Sequence, residues 1–244
     1  MASNHHTDQV FTEKRKPKNP IKFKVNLNEE QKEAKAKILD NTLTLLAGKA
    51  GSGKTMLACQ IALERLFMRD IEKIIITRPT VSKEDIGFLP GDLREKMDPW
   101  VQPIYQNMFA LYDKVKIEKL IEDGTIEIVP VSFMRGRTFL NSIVIVDEAQ
   151  NVTHEQMEMI TTRIGLRSKM IICGDDHQVD LKSRRESGFR FLYSAARRVK
   201  NMAAITLIQN HRDPIVDDLI EIYEEAAERG IIAGSSGTSG KSKK

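Results

Sequence analysis

"GKAGSGKT", Gly48 to Thr55, decides the fold of this chain. It matches G-x-x-x-x-G-K-[ST], a loop whose backbone cradles the phosphates of a nucleotide. Gly51 and Gly53 let backbone N–H groups curl around phosphate oxygens, where a Cβ would obstruct some of the required conformations. A helix beginning near Lys54 adds its positive dipole end at the same point. Lys54 is placed to reach the β- and γ-phosphates, and the Thr55 hydroxyl to take a position on Mg2+. The candidate nucleotide-binding segment is therefore Gly48, Lys49, Ala50, Gly51, Ser52, Gly53, Lys54 and Thr55, with Met56 behind it. Its flanks suit the mechanism: "LTLLA" before it reads as a strand, and "TMLACQIALERLF" as a helix. ATP and Mg2+ are the expected ligands.

Working outward, five more apolar runs resemble the strand before the loop. With "TLTLLAG" (42–48) they are "KIIITRP" (73–79), "IEIVP" (126–130), "SIVIVDEA" (142–149), "MIICGD" (170–175) and "AAITLIQN" (203–210). Near-continuous β-branched runs suit strands buried on both faces. Most are separated by helical stretches, which predicts a parallel sheet with right-handed crossovers. In "DPWVQPIYQNMFALYDKV" (98–115), Trp100, Ile104, Met108, Leu111 and Val115 fall at helical spacing and predict a core-facing stripe. The fold class is α/β, a mainly parallel sheet flanked by helices in one domain, as 244 residues allow.

Two of the runs end in chemistry. "IVIVDEAQ" brings Asp147 and Glu148 to the carboxyl edge of the sheet, where ligands bind in such folds. Asp147 is the candidate Mg2+ residue beside Thr55, and Glu148 the candidate base for an attacking water. "CGDDHQ" puts Gln178 after Asp175 on a neighbouring strand end, where it could sense the γ-phosphate or align the water.

Gly48–Thr55, "VDEAQ" (146–150) and "GDDHQ" (174–178) are similar to the nucleotide-site motifs of superfamily 1 helicases. "LNEEQKEA" (27–34) resembles the segment whose glutamine reads adenine, which would be Gln31. "LIQNHRD" (207–213) resembles the helicase "L-x-x-N-Y-R-S" segment, placing Arg212 at the γ-phosphate arginine, with His211 and Asp213 departing from that pattern. "GFLPGDLREKMDPWVQPIY" (87–105), "TRP" (77–79) and "SFMRGRTF" (132–139) resemble the PhoH-like ATPases more closely still. The resemblance implies a RecA-like P-loop core, Mg2+-dependent ATP hydrolysis and a role on RNA. A superfamily 1 motor closes two lobes around ATP, and this chain has length for one. The expectation is then a homo-oligomeric ring, a hexamer by resemblance, with Arg212 reaching across a subunit boundary.

Candidate contacts to single-stranded RNA follow from "FMRGRTF", where Arg135 and Arg137 flank Gly136 with Phe133 and Phe139 outside them. Arginines for phosphates and aromatics for stacking would suit such a strand. An equal alternative is a loop pinned by its apolar residues, its arginines meeting acidic neighbours or another subunit's ATP. Thr77, Arg78 and Pro79 fit either backbone contact or the nucleotide site.

The net charge of +4 resides in the tails: residues 1–24 carry +4 and residues 235–244 carry +3, leaving −3 on residues 25–234. Expected boundaries are a basic arm over 1–24, the ATPase domain over 25–233 and a tail over 234–244. One local exception is "DLKSRRESGFRFLYSAARRVK" (180–200), with seven basic and two acidic side chains. It reads either as a solvated helix face or as a phosphate-backbone patch. Cys59 and Cys173 lie in apolar segments, as buried thiols in a reducing cytoplasmic compartment would. No apolar run approaches bilayer length, so no membrane association is expected. Two rival functions remain: an ATP-gated RNA or protein clamp, and a P-loop kinase acting on a small molecule. The kinase is disfavoured because "DEAQ" and "GDDHQ" are built around an activated water.

Overall fold

A computed structural model of the chain describes residues 21–79, 93–176, 178–181 and 183–231. The expected tail over 234–244, most of the basic arm and residues 87–92 of the PhoH-like stretch lie outside the described residues. All six apolar runs form strands: β1 (Leu43–Gly48), β2 (Lys73–Thr77), β3 (Ile126–Ile128), β4 (Ser142–Val146), β5 (Lys169–Gly174) and β6 (Met202–Leu207). They make one parallel sheet in the order β3-β2-β4-β5-β1-β6. The strand before the phosphate loop is thus separated from the strand bearing Asp147-Glu148 by β5.

Helices cover both faces, and the strands divide their side chains between them with period two. Ile143 and Ile145 of β4, Ile171 and Cys173 of β5 and Ile74 and Ile76 of β2 face one core. That core is completed by α1 (Glu29–Asp40), α2 (Lys54–Phe67), α3 (Leu93–Leu111) and α4 (Lys114–Glu122). Val144 and Val146, Met170 and Ile172, and Ile75 face the other, against α5 (His154–Thr161) and α6 (Gly188–Ala195). A branched side chain buried this completely contributes about 1.5–3 kcal/mol relative to exposure. The last helix, α7 (Ile215–Glu228), follows β6. Among the described residues no helix is long and apolar enough to cross a membrane.

Two expectations need correction. Ile104, Met108 and Leu111 form a fully buried stripe on α3, but Val115 is 73% exposed. Asp113 ends the register, because its carboxylate accepts from the Lys116 N–H and caps a new helix, α4. Packing also begins inside the stretch expected to be an arm. Phe23 sits edge-on to Tyr112, and the Lys24 N–H donates to the Leu111 carbonyl.

Candidate functional site

β1 runs out at Gly48 with β5 on one side and β6 on the other, so the chain must climb over the sheet edge before α2 can start. Gly51 and Gly53 make that turn with φ of +88° and +80°, left-handed values that glycine adopts without strain. Gly53 is the N-cap of α2, and no side chain caps the helix there. The first N–H groups of α2 are therefore available to an anion. The Lys54 ammonium lies folded over the loop, donating to the carbonyls of Gly48 at 2.6 Å and Lys49 at 3.0 Å.

Beneath the loop, the Thr55 hydroxyl donates to the Asp147 carboxylate at 2.7 Å. That bond joins the start of α2 to the end of β4, across the width of β5. Asp147 is 5% exposed. Burial, and then the neighbouring Glu148 carboxylate, push its carboxyl above the ordinary range, while the Thr55 hydroxyl and Arg78 oppose the shift. A buried carboxylate beside a hydroxyl is an all-oxygen donor set, and a hard divalent cation would relieve its desolvation. The residues present therefore fit Mg2+.

Glu148 turns out of β4 with φ +50° and ψ +38°. That left-handed conformation costs a non-glycine residue about 1–2 kcal/mol. It is held by two neighbours: Arg78 from the end of β2, at 3.4 Å, and the Gln150 amide N–H, at 2.6 Å. Gln150 is 1% exposed and uses its carbonyl oxygen to accept from the Asp175 N–H at 3.0 Å. One chain of hydrogen bonds thus ties the ends of β2, β4 and β5 around Glu148. Gln178 is exposed and lines the same cleft, whose volume is about 780 Å³.

The far wall comes from the segment after β6. The His211 N–H donates to the Gly51 carbonyl at 3.1 Å, and the Asn210 side chain accepts from the Arg212 N–H at 3.0 Å. Glu30 of α1 accepts from the N–H groups of Ile208 and Gln209, and Asn28 donates to Gln209. These ties hold Arg212 over the phosphate loop of its own chain, where it lines the cleft with Lys54 and Glu148. Arg212 was expected to reach across a subunit boundary; the geometry gives it a place in cis. Gln31 is also at the cleft, 7% exposed, in a reciprocal capping box with Asn28 and 3.3 Å from His211. A Cβ on Gly51 would lie 2.5 Å from the Asn210 oxygen and 2.9 Å from Arg212 Cδ. Gly51→Ala should therefore weaken nucleotide binding at least about tenfold and cost about 1–3 kcal/mol of stability. A nucleotide titration and a thermal melt measure the two effects.

The candidate RNA residues divide. Phe133 and Arg135 are exposed at the turn after β3. Arg137 is committed instead: its guanidinium donates twice to Glu127, at 2.8 and 2.9 Å, and lies 5.0 Å from the ring centre of buried Phe139. This pairing holds the Glu127 carboxyl below its ordinary range. Thr77 and Pro79 are buried and offer no surface to a strand of RNA. Arg78 belongs to the nucleotide cleft. Burial raises both thiols above their ordinary range, Cys173 among the residues lining the cleft.

Three contributors were missed by sequence reasoning. Gln150 stood in the quoted "DEAQ" without a role, and Asn210 in "LIQNHRD". The capping box was readable as Asn28 followed three residues later by Gln31.

The PhoH-like protein family profile matches residues 24–224. A "PhoH-like protein" of Bacillus subtilis is 43% identical over 198 residues, covering 80% of this chain and 62% of the relative. Another, of Synechocystis sp., is 41% identical over 192 residues, covering 78% of this chain and 58% of the relative. The chain thus spans about six-tenths of the length of these curated relatives. Among solved structures, the fold is similar to the large terminase of a bacteriophage of a thermophilic bacterium. The TM-score is 0.51 at 9% identity, over 83% of this chain and 50% of that one. The Pif1 helicase of Candida albicans aligns with a TM-score of 0.45 at 18% identity, over 82% of this chain and 44% of that one.

Proposed function

The chain belongs to the PhoH-like protein family, and from that premise we propose that it is a Mg2+-dependent ATPase whose hydrolysis is coupled to single-stranded RNA. The observation that carries this reading is the Thr55–Asp147 hydrogen bond, in a cleft that also holds Lys54, Glu148 and Arg212. Thr55 and Asp147 would hold the metal, which when bound bridges phosphate oxygens and offsets their charge. Lys54 exchanges its two loop carbonyls for phosphate oxygens, and Arg212 adds a second cation at the γ-phosphate. Glu148 takes a proton from the attacking water, oriented by Arg78 and Gln150, and Gln178 helps align that water. Gln31 recognises adenine. Phe133 and Arg135 form the RNA-facing turn. The protein works as a cytoplasmic homo-oligomer, a hexameric ring by family resemblance, in which each subunit keeps its own Arg212.

Phosphate release from Mg-ATP, measured with and without single-stranded RNA, tests the reading. Severalfold stimulation by RNA is expected; ATP turnover indifferent to RNA would remove the coupling and leave the ATPase. Arg212→Ala should lower turnover about 10²–10³-fold with ATP affinity little changed. Mixed oligomers of Arg212→Ala and Lys54→Ala subunits should recover no activity, because an arginine acting in cis cannot rescue a neighbour. Recovery would move Arg212 to a neighbour's ATP.

A further inference from the structure

α7 carries an apolar stripe on its surface. Ile215, Leu219, Ile222 and Tyr223 follow one another at i, i+4, i+7 and i+8, so they share one face of the helix. They are 59%, 47%, 61% and 65% exposed. Among the described residues, no other element packs along α7. The rest of the segment is acidic. Residues 213–229 hold seven carboxylates against Arg229 alone, a net −6. Asp213, Asp218, Glu221 and Glu225 are exposed.

The same molecule carries the complementary surface elsewhere. Residues 180–200 net +5, and Arg190, Arg197, Arg198 and Lys200 are exposed along α6 and the turn after it. Arg190 is 3.6 Å from Asp176. Two large apolar side chains stand among these cations: Phe191, 61% exposed with its ring edge against His154, and Val199, 52% exposed. An apolar stripe edged by acids and an apolar patch edged by bases match in both hydrophobicity and sign.

We propose that α7 of one copy of this chain docks on the α6–Lys200 surface of a second copy. The two patches are different surfaces of one chain, so the contact is heterologous: each subunit offers α7 to one neighbour and α6 to the other. Repeated, it generates a closed ring or a filament. A helix of this length presents a face about 21 Å long, enough for a continuous contact. α7 starts three residues after Arg212, so the docked neighbour bears on the segment that forms the cleft wall. The proposal deepens the oligomer reading above and rests on it.

Charge exchange tests it. One variant carries Asp218→Lys, Glu221→Lys and Glu225→Lys; the other carries Arg197→Glu, Arg198→Glu and Lys200→Glu. All six side chains are exposed, and circular dichroism checks that each variant folds. Sedimentation should show wild type assembled and each variant alone monomeric at the same concentration. Mixed in equal amounts, the variants should assemble again, because every contact in an alternating arrangement pairs opposite charges. Wild type sedimenting as a monomer would overturn the oligomer reading and this interface together. Wild-type-like assembly by either variant alone would overturn the interface and leave the oligomer. Loss of assembly in both variants without recovery on mixing would also overturn the pairing. Variants that keep assembly and lose only polynucleotide binding would overturn the interface and assign the basic surface to a phosphate backbone.

Discussion

Lys54→Ala should release phosphate from Mg-ATP at least about a hundredfold more slowly than the unaltered chain. The Lys54 ammonium spans the loop, bonded to two of its carbonyls, and is the cation at the root of α2. Each charge-assisted hydrogen bond it gives to phosphate is worth about 1.5–3 kcal/mol, so losing two of them reaches that factor. The fold should survive, because Leu57, Ala58 and Ile61 anchor α2 from the other side. A melting curve close to the parent's, with turnover gone, would separate a chemical loss from a structural one. Near-normal turnover would show that Lys54 does not meet the phosphates.

Glu148→Gln should have the second-largest effect and a different signature. Glutamine keeps the shape of the side chain and can still pair with Gln150, but it cannot accept a proton from water. Turnover should fall about 10²–10⁴-fold, the usual contribution of a positioned base. ATP binding should persist, because Lys54, Thr55 and the loop are untouched. A nucleotide titration beside a turnover measurement reads both quantities. Loss of binding along with turnover would instead make Glu148 part of the nucleotide's grip.

The architecture was legible because its strands are buried on both faces. Runs such as "KIIIT" and "SIVIV" have few other ways to hide their side chains, and all six runs became strands of one parallel sheet. The nucleotide segment was legible for a similar reason, since glycine spacing states a backbone requirement directly. Side-chain partners from distant strands were not legible. Thr77 and Pro79 read as edge residues, yet the neighbouring strands bury them, and Thr77 accepts the Asp147 N–H through its carbonyl. Arg137 read as a phosphate contact, but Glu127, ten residues earlier, already satisfies its guanidinium. Arg212 was assigned across a boundary on length alone. Its position in cis depends on Glu30, Asn28 and Gly51 meeting the segment after β6, which no local pattern announces. Val115 was lost to a single cap, Asp113, that starts a helix where the stripe was expected to continue.

The central claim is that this cleft drives water onto the γ-phosphate of ATP. Turnover of Mg-ATP in 18O-labelled water tests it most directly. The account predicts one labelled oxygen in the inorganic phosphate, none in the ADP, and loss of the product on chelating the metal. A γ-phosphate found on another acceptor, or ATP left intact by the folded chain, would contradict it.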